Sequence, residues 1–489
     1  MSKPASQQGK EATQESVRAR DRKALVSGLA CIAIGLVIYF LPVPDGVDAR
    51  GMHMLGIFVA TIVALVLQPL PTAAVAIIGL TASMLTGAMS ASKEAFTGLG
   101  SSSIWLIVAA FFIATGFVKT GLGHRIALMF LTRLGSSSLG IAYGLAATDL
   151  VLAPATPSNT ARLGGILFPV ITSISDVQGS TPKTDESRLR LGAYLAVTAN
   201  NVNAVTSAMF LTAMAGGPIC VELAAKSGIT LDWGQWALGG IVPGIVALLL
   251  IPRVVQAVFP PTLKRMPEGK QNAKDQLAEM GPMSAQEKIM GATFLVMLLL
   301  WSLGSFFSIP ATAVAFLGVS ILLATRVLEW KDLSGNKAAW QTLIFFGILV
   351  GMAGQLNTLG VIGWMGQTVS AAVGGMSWPM VLVILSALYF VLHYMFASEL
   401  AQIAALYPLF LSVMVAAGVP PVLAALMLGA LSALMGAMTH YASGPAALIY
   451  GSGYVKTSEF FKVGIVCGIL VLVIWLTVGL GWWKILGIW

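Results

Sequence analysis

The stretch LVLAPATPSNTARLGGILFP, residues 150–169, sets a small polar knot between two apolar arms. Pro154 and Pro157 interrupt any helix there, because proline has no amide proton and its ring clashes with the preceding turn. Ser158, Asn159, Thr160 and Arg162 follow directly. Irregular backbone and an arginine inside an apolar run need surroundings that satisfy both.

The rest of the chain says what those surroundings are. Of 489 residues, 57% are hydrophobic and 10% charged, against roughly 25% charged in soluble domains. Apolar runs at 24–41, 54–70, 237–252, 290–307 and 463–480 approach the length a helix needs to cross a bilayer. The chain reads as an all-α polytopic membrane protein. The first run lacks a signal-peptide cleavage site and is read as a retained span. The net charge of +8 comes mostly from the N-terminus and 253–288. This pattern fits cytoplasmic basic loops rather than nucleic-acid binding. Cys31, Cys220 and Cys467 are isolated, so neither a disulfide framework nor a metal cluster is expected. No cofactor is expected either.

The basic segments 1–23 and 259–288 are both expected in the cytoplasm, so an even number of crossings separates them. Six fit, near 24–42, 51–68, 72–88, 102–131, 190–215 and 234–255. The remaining piece, 137–176, contains the knot, and a re-entrant hairpin there preserves parity. The first transmembrane half is then 24–258, the linker 259–288 and the second half 289–489.

The second half repeats the layout. Gly116–Gly123 resembles Gly354–Gly360, Ser158–Pro169 resembles Ser398–Pro408, and Ser207 corresponds to Ser443, at offsets of 236–240 residues. Its spans lie near 290–308, 311–329, 340–366, 422–454 and 462–485, with a hairpin at 378–413 whose tip is Ala397-Ser398-Glu399. Five crossings per repeat is odd, which predicts two inverted repeats. Each has a re-entrant hairpin and a broken transmembrane helix, as secondary transporters have.

Four irregular segments should meet at membrane depth. Two are the hairpin tips. Two are breaks in long spans, within Asn200–Pro218 and Thr439–Tyr454. A helix starting at Ser158-Asn159-Thr160 points backbone N–H groups at the tip, which suits a carboxylate; the alternative is that the serine and asparagine are no more than helix caps. Arg162 at mid-bilayer costs at least ~2.5–3.5 kcal/mol without a partner. It either contacts an anion, supplies fixed positive charge, or snorkels to water. His440 either bonds an anion or satisfies broken-helix carbonyls. Glu399 either pairs with Arg162 or a lysine, or holds a proton. The candidate substrate-binding residues are Ser158, Asn159, Thr160, Arg162, Thr206, Ser207, Ser398, Glu399, Thr439, His440, Ser443 and Gly444. Lys119, His124, Arg125, His393 and Lys456 are expected at span ends or in the scaffold.

From about residue 25 onward, APATPSNTAR, THYASGPAALIYGSGYV and the two-hairpin layout resemble the divalent anion/sodium symporter superfamily. The resemblance is to its branch of citrate, tartrate, malate and 2-oxoglutarate exchangers. It implies that Ser-Asn-Thr at each tip holds substrate carboxylates, with sodium ions between tips and breaks. Here the second tip reads Ser398, Glu399, Leu400, and the second break reads Ser443, Gly444, Pro445, Ala446. Both departures weaken a second sodium site. Fixed cations such as Arg162 and His440 could take over the screening and make exchange obligatory. The resemblance also implies an elevator-type movement and a homodimer.

The expected function is transport of di- and tricarboxylates, by exchange or alternatively by sodium- or proton-coupled symport. The bacterial inner membrane is favoured, because the N-terminal segment carries Glu11, Glu15 and Asp21 and transit peptides are poor in acids. An enzyme is disfavoured by the absence of His-Glu-x-x-His and Gly-x-Ser-x-Gly. A channel is disfavoured by two inverted halves in one chain.

Overall fold

The computed structural model describes residues 24–372, 375–396 and 398–489. The N-terminal segment 1–23 and Ala397 of the second tip lie outside the described residues. Nine helices among those described are long and apolar enough to cross a membrane, by length and composition.

The chain forms two compact units. The smaller contains the residues up to Gly100 together with Ile344–Met365. It is built on α1 (Ala24–Tyr39), α2 (Ala49–Leu67) and α3 (Thr72–Leu85). Close backbone approach decides its packing: a Cβ on Gly98 would overlap the Gly347 carbonyl. Arg50 reaches Glu94 at 3.3 Å.

The larger unit comprises Ser101–Leu343 and Gly366–Trp489. It opens with α4 (Ser102–Thr120) and α5 (Leu122–Leu134). The first hairpin follows, with α6 (Ser138–Leu152) as its incoming arm. Its outgoing arm starts with α7 (Asn159–Arg162), continues through a π-helical turn at Leu163–Leu167 and ends with α8 (Phe168–Val177). A short α9 (Asp185–Arg188) leads to the first broken helix, α10 (Gly192–Met209) and α11 (Gly216–Lys226). The long α12 (Trp233–Val258) contains Pro243. Proline cannot donate to the carbonyl four residues earlier, and Trp483 Nε1 donates to Gly239 O instead, at 2.9 Å.

The second half runs through α13 (Gly269–Glu279), α14 (Ala285–Phe307), α15 (Ala311–Ala324), α16 (Trp330–Ser334), α17 (Lys337–Thr358) and α18 (Val361–Ala372). The second hairpin is α19 (Trp378–Val391), a 3₁₀ turn at Leu392–Met395, and α20 (Glu399–Ala416). The second broken helix is α21 (Pro421–Leu434) and α22 (Gly444–Gly451). Then α23 (Thr457–Ile474) and α24 (Leu480–Ile485) end the chain. The order of elements from α14 onward thus parallels that from α2 to α12.

Three expectations change. The span expected at 102–131 is two helices, because Gly121 takes φ +77°; the span at 340–366 divides at Gly360, φ +82°. Only glycine adopts such angles without strain. The polar linker also holds a helix, α13. It docks on α5, where Gly269 approaches so closely that a Cβ on it would strike the Gly135 carbonyl. Arg125 seals this corner, bonding Glu287 at 2.5 Å and Gly281 O at 2.9 Å.

Candidate functional site

Serines start three of the helices that face the breaks. Ser158, Ser398 and Ser443 accept the N–H of Ala161, Ala401 and Ala446, at 3.1, 3.4 and 3.2 Å. These hydroxyls therefore cap helices, and each still has a proton to donate. Ser443 gives its proton to Gly436 O at 2.7 Å.

Arg162 is fully buried. Its Nε meets Asp149 Oδ1 at 2.6 Å. Nη1 donates to Thr156 O and Ala213 O, both at 2.8 Å. Nη2 donates to Thr206 Oγ1 at 3.2 Å and Ser207 Oγ at 3.0 Å. These contacts use all five of its N–H donors. Asp149 in turn accepts from Thr206 and from Asn203. Arg162, Thr206 and Ser207 are thus brought together, around a carboxylate that the sequence reading missed. This corrects three expectations. Arg162 offers no free donor to a ligand, and its charge is offset by Asp149 rather than standing as a fixed cation. It does not pair with Glu399.

The two hairpin tips touch. Asn159 Nδ2 donates to Glu399 Oε1 at 3.0 Å, while Asn159 Oδ1 accepts the Thr160 N–H. Glu399 is 5% exposed, and its Oε2 has no partner among the described residues. Its backbone N–H donates to Ala442 O in the second break, at 2.8 Å. Each tip also packs on the other half's break. A Cβ on Gly444 would overlap Thr160 Oγ1, and one on Gly216 would lie 2.6 Å from Ile403 Cδ1. A Cβ on Gly436 would overlap Glu399 Oε2.

Around residues 208–212 the first break is satisfied by neighbouring segments, as buried backbone must be. Thr212 Oγ1 bonds Pro154 O and receives Trp233 Nε1, and Trp236 Nε1 donates to Ala208 O at 3.0 Å. The second break is not. Thr439 Oγ1 and His440 Nδ1 are buried without a partner among the described residues. The His440 ring lies among Tyr441, Tyr450, Phe460 and Phe461. Asn200, on α10, has neither end of its amide bonded among those residues.

The residues assigned to span ends and scaffold divide. Lys119 pairs with Asp332 at 2.7 Å, and Lys456 pairs with Asp185. His393 instead sits fully buried in the turn before the second tip, bonded to Gln402 at 2.7 Å.

Known proteins resemble this chain in sequence and in fold. The chain is 45% identical to dicarboxylate transporter 1, chloroplastic, of Arabidopsis thaliana, over 94% of this chain and 83% of that one. It is 35% identical to the L-tartrate/succinate antiporter of Shigella sonnei, over 94% of this chain and 97% of that one. Among solved structures, MtrF of Neisseria gonorrhoeae has the same fold, with a TM-score of 0.58 at 14% identity over 94% of both chains. Residues 22–489 match the family described as sodium:sulfate symporter transmembrane region. The chain belongs to that family, within the divalent anion/sodium symporter superfamily, and is a multi-pass membrane transporter rather than an enzyme.

Proposed function

We propose that this protein is a secondary transporter of di- and tricarboxylates, working as an obligate anion exchanger. The observation that carries the reading is the meeting of Asn159 and Glu399. They hold the same position in the two tips, 240 residues apart. Two copies related by a twofold rotation bring counterpart residues into contact only at the axis, and a transporter built of inverted repeats holds its substrate there. The relatives' dicarboxylate and tartrate/succinate names support the substrate class.

Substrate carboxylates would take the Asn159 amide, the Ser158 and Ser398 hydroxyls and the polar groups of the second break. Thr439 Oγ1, His440 Nδ1 and the Asn200 amide lack partners among the described residues. Each such group costs about 1–3 kcal/mol while unbonded. A carrier crossing without substrate keeps those penalties, and a loaded one relieves them. Exchange follows from that difference, with no need for a fixed cation at Arg162.

The reading includes hairpins 137–176 and 378–413 as re-entrant segments, halves 24–258 and 289–489 in opposite orientation, and an elevator-type movement. It also includes a homodimer in the bacterial inner membrane, with 1–23 and 259–288 on the cytoplasmic side.

The test is uptake of labelled succinate into proteoliposomes, with and without internal succinate, in sodium and in choline buffer. Uptake that requires internal succinate and ignores sodium is expected. Uptake into vesicles lacking internal succinate, driven by a sodium or proton gradient, would overturn exchange in favour of symport.

A further inference from the structure

Glu399 is an anion placed where an anion should bind. Its carboxylate accepts from the same Asn159 amide that a substrate carboxylate needs. It cannot borrow charge from Arg162, whose five N–H groups are all committed elsewhere. Its position is fixed at two points, because its carboxylate lies against Gly436 and its own backbone N–H is tied to Ala442 O.

We propose that Glu399 is an internal carboxylate ligand of the first tip. It competes with substrate for Asn159, and it thereby sets both the affinity and the charge preference of the site. The proposal rests on the exchange site described above. A dianion entering beside an ionised Glu399 must break a charge-assisted hydrogen bond and then face a like charge in a low-dielectric region. The same dianion meets a neutral neighbour once Glu399 holds a proton. Affinity for dianions should therefore rise as pH falls through the titration of Glu399.

The groups around Glu399 leave it as the titrating element. Asn159, Gly436 and Ala442 face it and do not titrate. The nearby elements carry the Arg162–Asp149 pair on the first hairpin, His393 in the turn before the second tip, and His440 within its aromatic cage. His393 and His440 are ionisable side chain types as well, so the test separates them from Glu399.

The experiment is tartrate/tartrate exchange in proteoliposomes between about pH 6 and 8, where tartrate carboxyls are ionised. It compares wild type, Glu399→Gln and Glu399→Asp. Gln keeps the acceptor and loses the charge. Its KM should fall about tenfold at the upper pH, the difference between a charged and a neutral acceptor in one hydrogen bond, and its KM should no longer vary with pH. Asp keeps the charge but draws back by one methylene from Asn159, so its pH dependence should persist. Purified variants that elute as wild type does on size exclusion establish folding. If Gln fails to fold, the Asp profile and the wild-type slope still decide: a flat wild-type KM would overturn the proposal. A Gln variant that keeps the wild-type KM and pH slope would overturn it too, and would assign the slope to a histidine. Failure of wild-type exchange would instead sink the exchanger reading itself.

Discussion

Replacing Asp149 with asparagine tests how the first tip is held. Asp149 is the carboxylate that faces Arg162, and it also accepts from Thr206 and Asn203. Asn keeps one acceptor oxygen and replaces the other with a donor. One of the three donors loses its partner, and Arg162 becomes a buried charge without a counterion. Breaking a buried pair from one side costs about 3–5 kcal/mol. That lowers the folded population relative to the unfolded one by about two to four powers of ten. The assay is the heat-unfolding midpoint of the detergent-purified variant beside its exchange rate in proteoliposomes; both should drop sharply. Asp149→Leu combined with Arg162→Leu removes both charges in favour of apolar groups. It should recover part of the stability, since an unpaired buried charge is removed, while Thr156 O, Ala213 O and the Asn203 amide remain without the partners they had. Transport should stay lost, because Thr156 O, Ala213 O, Thr206 and Ser207 lose the guanidinium that joins the tip to the first break. A single Asp149→Asn variant with wild-type midpoint and exchange would refute the neutral-pair account.

Asn159→Ala should abolish exchange while the protein still inserts and elutes as wild type does on size exclusion; normal exchange would remove Asn159 from the site. Gly444→Ala should cut exchange by at least tenfold, since its Cβ overlaps Thr160 Oγ1. Adding Thr160→Ala should restore part of that rate, and the absence of any rescue would mean that Gly444 matters for another reason. The Lys119 ammonium beside Asp332, with the Glu329 N–H, holds that carboxyl below its ordinary value. A depressed carboxyl stabilises above its unfolded pKa and loses that contribution as pH falls through the folded one. Asp332→Asn should therefore lower the unfolding midpoint at neutral pH, and the gap should close as pH falls below the ordinary aspartate range.

What the sequence disclosed follows from what composition can encode. Apolar runs and the Gly, Pro and Ser clusters disclosed the helices, the tips and the breaks, because bilayer length and proline's missing donor act locally. The turns at Gly121 and Gly360 were hidden, because hydropathy carries no direction: a run that bends is as apolar as one that continues. The signal was the repeated glycine itself, within Gly116–Gly123 and again within Gly354–Gly360. Asp149 could have been found by the reasoning that singled out Arg162. An aspartate in the run Thr148-Asp149-Leu150 is as costly as an arginine, and the two charges lie only 13 residues apart. The Asn159–Glu399 contact could not be read that way, since nothing local links residues 240 apart.

The second hairpin gives the strongest reason to treat Arg162 as mechanical. Counting from Ser158 and Ser398, Arg162 and Gln402 occupy the same place. Each ties the outgoing tip helix back to its incoming arm. Arg162 reaches Asp149 and Thr156 O. Gln402 donates to Tyr389 O at 2.7 Å and meets His393 Nδ1 at 2.7 Å. The amide nitrogen of Gln402 is spent on Tyr389, so its oxygen must accept, and the network assigns the proton to His393 Nδ1. One hairpin makes the tie with an ion pair and the other with neutral groups. The tie therefore needs hydrogen bonds rather than charge, and in the first hairpin the charge cancels within the pair. Among the described residues, Glu399 is then the ionisable group left between the tips, which is the place the proposed competition with substrate requires.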